Sequence, residues 1–163
     1  MAGTGRLVMR GIVGGLAIGF GGRKLFGWFG GAGRERTAEN FESFGYRNGR
    51  AMAALAGVTE LTAGVGLVTG TATPLAASAL IGEMVNAAAV HRREGLWAEN
   101  GGYEYPLVLA TAAACLAWDG PGPLSVDHAL GRERTGPVWG LGALVLGAAT
   151  GTTVWRLFRD EQK

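Results

Sequence analysis

The stretch AMAALAGVTELTAGVGLVTG, from Ala51 to Gly70, holds one charged residue, Glu60, in an otherwise apolar and glycine-rich run. A helix rises about 1.5 Å per residue, so about 20 such residues cross the hydrocarbon core of a bilayer. Read this way, the stretch is a membrane span with an acid near its middle. A carboxylate at that depth costs a few kcal/mol unless it faces the bundle interior and finds a partner or takes a proton. Gly57, Glu60 and Gly64 fall on one helical face, which puts the acid on a surface suited to close helix packing.

Four further apolar runs flank it: about Leu7–Phe26, Pro74–Val90, Tyr105–Trp118 and Val138–Phe158. The fourth in chain order, Tyr105–Trp118, is short unless Gly101 to Glu104 is included. Composition agrees with a membrane bundle. Of 163 residues, 48% are hydrophobic and 17% are charged, against about a quarter charged in soluble domains. The 30 glycines follow no three-residue period, which excludes collagen. They suit transmembrane helices, where small residues let backbones touch. A mean hydropathy of +0.19 is modest only because glycine lowers the index without adding polarity. The predicted fold is all-α, an integral membrane helical bundle. The run Leu7–Phe20 has the length of a signal-peptide core but lacks a small-x-small cleavage site before a polar start, so it reads as a retained helix.

Glycine spacing predicts how the helices meet. Gly11, Gly15 and Gly19 line one face of the first helix, and the pairs Gly66/Gly70 and Gly147/Gly151 repeat the four-residue step. Topology follows from Lys and Arg. Six lie between the first two helices (Arg23, Lys24, Arg34, Arg36, Arg47, Arg50), Arg92 and Arg93 follow the third, and Arg156, Arg159 and Lys163 close the chain. With five spans these share one side, and only Arg6, Arg10, Arg132 and Arg134 lie on the other. The positive-inside rule then puts the N-terminus outside and the C-terminus in the cytoplasm. The polar stretch 30–50 mixes charges with Phe41, Phe44 and Tyr46, and fits either a segment lying at the membrane surface or a solvated loop.

The net charge of +2 is spread over helix ends with no basic face, which argues against nucleic acid as a partner. The lone Cys115, in an apolar run, predicts an inert small side chain. His91, His128 and the scattered acids show no metal-ligand spacing. The candidates for chemistry are the polar residues at membrane depth. Glu60 and Glu83 are candidate catalytic acids. Glu83 and Asn86 share a face of the third helix, and Asn86 and His91 are candidate ligands for a bound carbonyl. Arg10, one turn into the first helix, is expected to pair with an acid or snorkel. Ser125, Asp127 and His128 lie too close in sequence for triad geometry, and Ser125 or Asp127 is expected to cap a short surface helix. Glu104 sits in the first turn of the fourth helix, where an acid complements the positive helix end; it is expected to pair with a basic loop residue or a helix-end N–H.

Four stretches, AGVTELTAGVGLVTG (Ala56–Gly70), MVNAAAVHRREGLW (Met84–Trp97), NGGYEYPLVL (Asn100–Leu109) and GPGPLSVD (Gly120–Asp127), resemble the DoxX family of small bacterial membrane proteins. The resemblance spans about Arg6 to Leu130. It makes Glu60, His91, Glu104, Ser125 and Asp127 the counterparts of the family's recurrent polar positions. It implies a four-helix transmembrane domain over 1–130, with 30–50 as its polar loop, and sets apart 131–163 as an extra transmembrane helix with a short charged tail. It also implies a multi-pass protein of the bacterial cell membrane, a quinone-interacting or anchoring subunit of a membrane oxidoreductase or oxidative-stress complex. The partners so implied are the lipid bilayer, redox-complex subunits, and a quinone or isoprenoid lipid. Two other readings stay open: a stand-alone intramembrane enzyme acting on a lipid or isoprenoid by acid/base chemistry, and a purely structural scaffold.

Overall fold

The computed structural model describes residues 3–160, and these are helical with no strand. The long helices are α1 (Gly3–Phe26), α3 (Gly49–Thr69), α4 (Thr73–His91), α5 (Glu104–Asp119) and α7 (Pro137–Phe158); α2 (Gly33–Ser43) and α6 (Val126–Ala129) are shorter. The protein is an all-α membrane bundle. Among the described residues, three helices are long and apolar enough to cross a membrane: Gly49–Thr69, Thr73–Glu94 and Pro137–Phe158. α5 reaches 16 residues, about 24 Å at 1.5 Å per residue. α1 has 24 residues but carries Arg6, Arg10, Arg23 and Lys24. The stretch 30–50 contains a regular helix, α2, which packs on α3 and α1.

α1 and α3 pack antiparallel at backbone distance. An added Cβ on Gly14 would lie 2.7 Å from the Gly64 carbonyl oxygen, and one on Gly21 would lie 2.6 Å from that of Gly57. Glycine is required at these positions because any side chain would force the helices apart. The face expected to do this, Gly11, Gly15 and Gly19, meets open space, with nothing within 4 Å of an added Cβ. The reason lies in the neighbouring stripe. Arg10, Gly14, Ala17, Gly21 and Lys24 follow a 4-3-4-3 spacing on α1, and Ala53, Gly57, Glu60, Gly64 and Leu67 follow it on α3. Apart from Lys24, these positions are all buried. The 3.5-residue period keeps two packed helices in register over several turns, which a pure four-residue step does not. By contrast, the pair Gly147/Gly151 does pack as expected. Gly147 faces the Ser78 carbonyl and Gly151 faces α4 at Gly82 and Val85, with α7 running parallel to α4.

One end of the bundle is sealed by Arg10, which is 1% exposed. It neither pairs with an acid nor snorkels. Its guanidinium donates to the carbonyls of Leu67 (2.9 Å) and Val68 (2.9 Å) at the end of α3, and to those of Pro121 and Leu124 (2.9 Å) in the segment after α5. The last carbonyls of a helix have no partner within it, so this supplies what the end of α3 lacks. Asp127 serves the next helix. Its carboxylate accepts from Ala72 N–H (2.9 Å) and Thr73 N–H (3.1 Å) at the start of α4. That contact holds Ala72 at φ 47°, a left-handed conformation that costs an L-residue roughly 1–2 kcal/mol. Ser125 caps α6, accepting from His128 N–H at 3.1 Å. His128 turns away to Glu133, 3.0 Å from its Nδ1.

The two glycine faces of α1 give a direct test. Gly14→Ala and Gly21→Ala should each lower the thermal midpoint in detergent. Gly11→Ala, Gly15→Ala and Gly19→Ala should be neutral or stabilising by up to about 1 kcal/mol, the helix-propensity gain of Ala over Gly. The reverse order would refute the 4-3-4-3 interface.

Candidate functional site

At the opposite end the bundle is open. α2 lies across the ends of α1 and α3, anchored where Thr37 Oγ1 donates to the Lys24 carbonyl at 3.4 Å. Beneath it is a cavity of about 430 Å³. Phe20, Phe41, Phe44 and Tyr105 give it aromatic walls, and Lys24, Glu60, Glu83, Asn86 and His91 give it charge and polarity. The four residues expected to carry chemistry, Glu60, Glu83, Asn86 and His91, therefore line one space.

Their environments differ. Glu60 is 2% exposed and bonded through both oxygens to Lys24 Nζ, at 2.5 and 2.6 Å. The helix register explains the pair, since Glu60 and Lys24 lie on the facing stripes of α3 and α1. Glu83, one helix on, makes no hydrogen bond or ion pair among the described residues and is only partly buried. Its charge is within electrostatic range of both Glu60 and Lys24. Asn86 is 5% exposed and accepts a 2.5 Å hydrogen bond from the Tyr46 hydroxyl through Oδ1. Burial raises the Tyr46 pKa above its ordinary value, with the Asn86 bond offsetting part of the rise, so the phenol remains a donor at neutral pH. His91 meets the Phe44 ring edge-on, centroids 5.7 Å apart.

The Tyr105 ring packs on Phe20, centroids 5.1 Å apart, while its hydroxyl is buried without a hydrogen-bond partner among the described residues. Glu104 explains how Tyr105 is placed. Its Oε2 accepts from Ala98 N–H (3.0 Å) and its own N–H bonds the Leu96 carbonyl (2.8 Å). Together with Tyr103 N–H on the Gly95 carbonyl (3.1 Å), this folds 95–104 back on itself. The expected helix-end N–H is thus the partner, and it belongs to the short turn Ala98–Asn100. Arg10, Ser125 and Asp127 are all at the far, sealed end. Cys115 faces outward on α5. Among the described residues, no group of three His, Cys, Asp or Glu is placed to hold a metal ion.

Sequence reasoning missed three contributors. Lys24 was visible only as a basic helix end, and nothing local ties it to an acid 36 residues on. Tyr46 lay in the polar stretch, and Tyr105 stood as the start of an apolar run. The clue to Lys24 was the 4-3-4-3 stripe, which it ends.

An all-α bundle with small-residue interfaces and apolar spans defines a class of small helical membrane proteins. Residues 5–93 match the DoxX family model, which is more than half of the chain, and the protein belongs to the DoxX family. The matched span holds α1 to α4 and the cavity residues Lys24, Glu60, Glu83, Asn86 and His91; Tyr105 and α7 lie beyond it. No curated protein matches the chain, and no solved structure does.

Breaking one partner of a buried ion pair leaves an uncompensated charge, at a cost of about 3–5 kcal/mol, less here because Lys24 is 26% exposed. Lys24→Met should therefore lower thermal stability markedly, and adding Glu60→Leu should restore most of it. If Lys24→Met alone is as stable as wild type, the pair is not what holds α1 on α3.

Proposed function

We propose that this protein is a quinone-binding subunit of a membrane redox complex, with the quinone ring in the cavity beneath α2. The observation that carries the reading is the aromatic-walled space that Tyr105 lines together with Glu83 and Asn86, the Tyr105 hydroxyl being buried behind that wall without a hydrogen-bond partner among the described residues. A buried hydroxyl without a partner costs roughly 1–3 kcal/mol, and a ligand carbonyl would remove that cost. A flat ring with two carbonyl oxygens suits both features: the aromatic side chains sandwich it, and Tyr105, Asn86 and His91 donate to its oxygens. Of the two acids, Glu83 is the better proton carrier, because Lys24 already engages Glu60. When bound, the quinone takes up two electrons and two protons; the electrons come from a redox partner in this reading, since a single cysteine offers no dithiol pair.

The membrane placement belongs to the same proposal. The long helices alternate in direction, so Arg23, Lys24, Arg34, Arg36, Arg47, Arg50, Arg92, Arg93, Arg156 and Arg159 gather at the cavity end. Lys163, assigned to the same side, lies outside the described residues. The positive-inside rule turns this end to the cytoplasm and leaves the sealed end outside, in a bacterial cell membrane crossed five times. On this view 1–130 supplies the ring site and 131–163 an added span.

Binding tests the proposal. Purified protein in nanodiscs should quench its intrinsic fluorescence saturably with a tail-less quinone, 2,3-dimethyl-1,4-naphthoquinone. Tyr105→Phe should weaken that binding by roughly five- to tenfold, the value of one buried hydrogen bond. Non-saturable quenching, or a Tyr105→Phe variant that binds as wild type, would overturn the reading.

A further inference from the structure

A second space lies beside the first. It is a crevice of about 250 Å³ between α3, α4 and α7, lined by Met52, Leu55, Thr59, Ala79, Val154 and neighbouring small residues. These are the three helices long and apolar enough to cross a membrane. The lining runs from the cavity end of the spans (Met52, Val154) to near their middle (Thr59, Ala79), so the crevice occupies the cavity-end half of the bundle, and Leu55 at its edge is 47% exposed. Its opening is therefore lateral, toward lipid.

The crevice and the cavity share Phe41, Glu83 and Asn86 as a common wall and nothing else. Asn86 is fixed there by Tyr46, and the segment carrying Tyr46 is in turn clasped by the end of α7. Arg47 N–H bonds the Phe158 carbonyl (3.0 Å), Asp160 N–H bonds that of Gly45 (2.9 Å), and Arg47 Nε pairs with Asp160 at 2.7 Å. Glu83, also in the wall, has no hydrogen-bond or ion-pair partner among the described residues.

We infer that the crevice between α3, α4 and α7 holds the linear apolar tail of the ligand whose polar ring occupies the cavity, the tail passing beside Glu83 and leaving laterally into the bilayer. This rests on the ring-site reading above and deepens it: the ligand is a lipid with a polyprenyl or acyl tail, and α7 builds one side of the tail's wall through Thr150, Gly151 and Val154. Continuity with the cavity favours this occupant over an ordinary bilayer lipid, whose headgroup would stay at the interface. The head space lies immediately across the wall formed by Phe41, Glu83 and Asn86, so one ligand can fill both spaces.

Thr59 and Val154 line the crevice and not the cavity. Thr59→Phe and Val154→Phe, each checked for wild-type thermal stability and monodispersity, should weaken binding of a tetraprenyl naphthoquinone roughly tenfold, the usual scale for overfilling a packed site. They should leave the tail-less quinone within about twofold. A diazirine at the tail's end should label α7 near Val154 in wild type and lose that labelling in Thr59→Phe. Unchanged binding of the tailed compound in both variants, or labelling spread evenly over the outer helix faces, would overturn the tail crevice while leaving the ring site standing. Tail labelling at Val154 in a protein that binds no tail-less quinone would support the crevice and remove the quinone-ring reading instead. Equal loss of both compounds would also overturn the inference, by assigning the effect to the whole bundle.

Discussion

Arg10 organises the bundle. A guanidinium has five donors and no acceptor, and four contacts here go to backbone carbonyls from two distant segments. In a bilayer a helix end cannot fall back on water for its last carbonyls, so the end of α3 needs donors from elsewhere. Arg10 brings them from α1, which fixes the rotation of α1 against α3. Once that rotation is fixed, the stripe Arg10, Gly14, Ala17, Gly21 and Lys24 must face α3, and Lys24 arrives at Glu60. The sealed end and the ion pair inside the cavity are therefore two consequences of one helix register.

This register explains what the sequence revealed and what it withheld. The five long helices were legible within a few residues from their apolar runs, although length and apolar content qualify only α3, α4 and α7 as spans among the described residues. The placement of Glu60, Glu83, Asn86 and His91 around one space was legible too, because buried polar groups in a bundle have few faces to share. The interface of α1 was not. Gly11, Gly15 and Gly19 make the most regular glycine series in the chain, yet the working interface alternates glycine with arginine, alanine and lysine. A search for small residues alone passes over it. Likewise Asp127 caps a helix 54 residues away from it in sequence, a relation that no local spacing encodes.

α2 and α7 change the character of the cavity end. Without α2 the charged pair Lys24–Glu60 would open directly on the membrane surface, where screening by water and headgroups would weaken it. The helix covers it and supplies Phe41 to both spaces. α7 acts more indirectly. It packs along α4 through Gly82, Gly147 and Gly151, and its last residues hold 44–47 in place. Tyr46 can reach Asn86 only because that short segment is pinned. A helix outside the matched family span thus positions a side chain within it.

The two ends treat their polar groups differently, and this contrast bears on function. At the sealed end Arg10, Ser125 and Asp127 all find partners, and Arg6 bonds the Asp119 carbonyl while its Nε is buried without a partner among the described residues. At the open end the Tyr105 hydroxyl is buried and unmatched, and Glu83 is partnerless among the described residues. A bundle that matches Arg10 with four carbonyls has the means to satisfy a single phenol. Stability accounts for most of the sealed end, and the cavity end is where the proposed ligand would complete the hydrogen bonding.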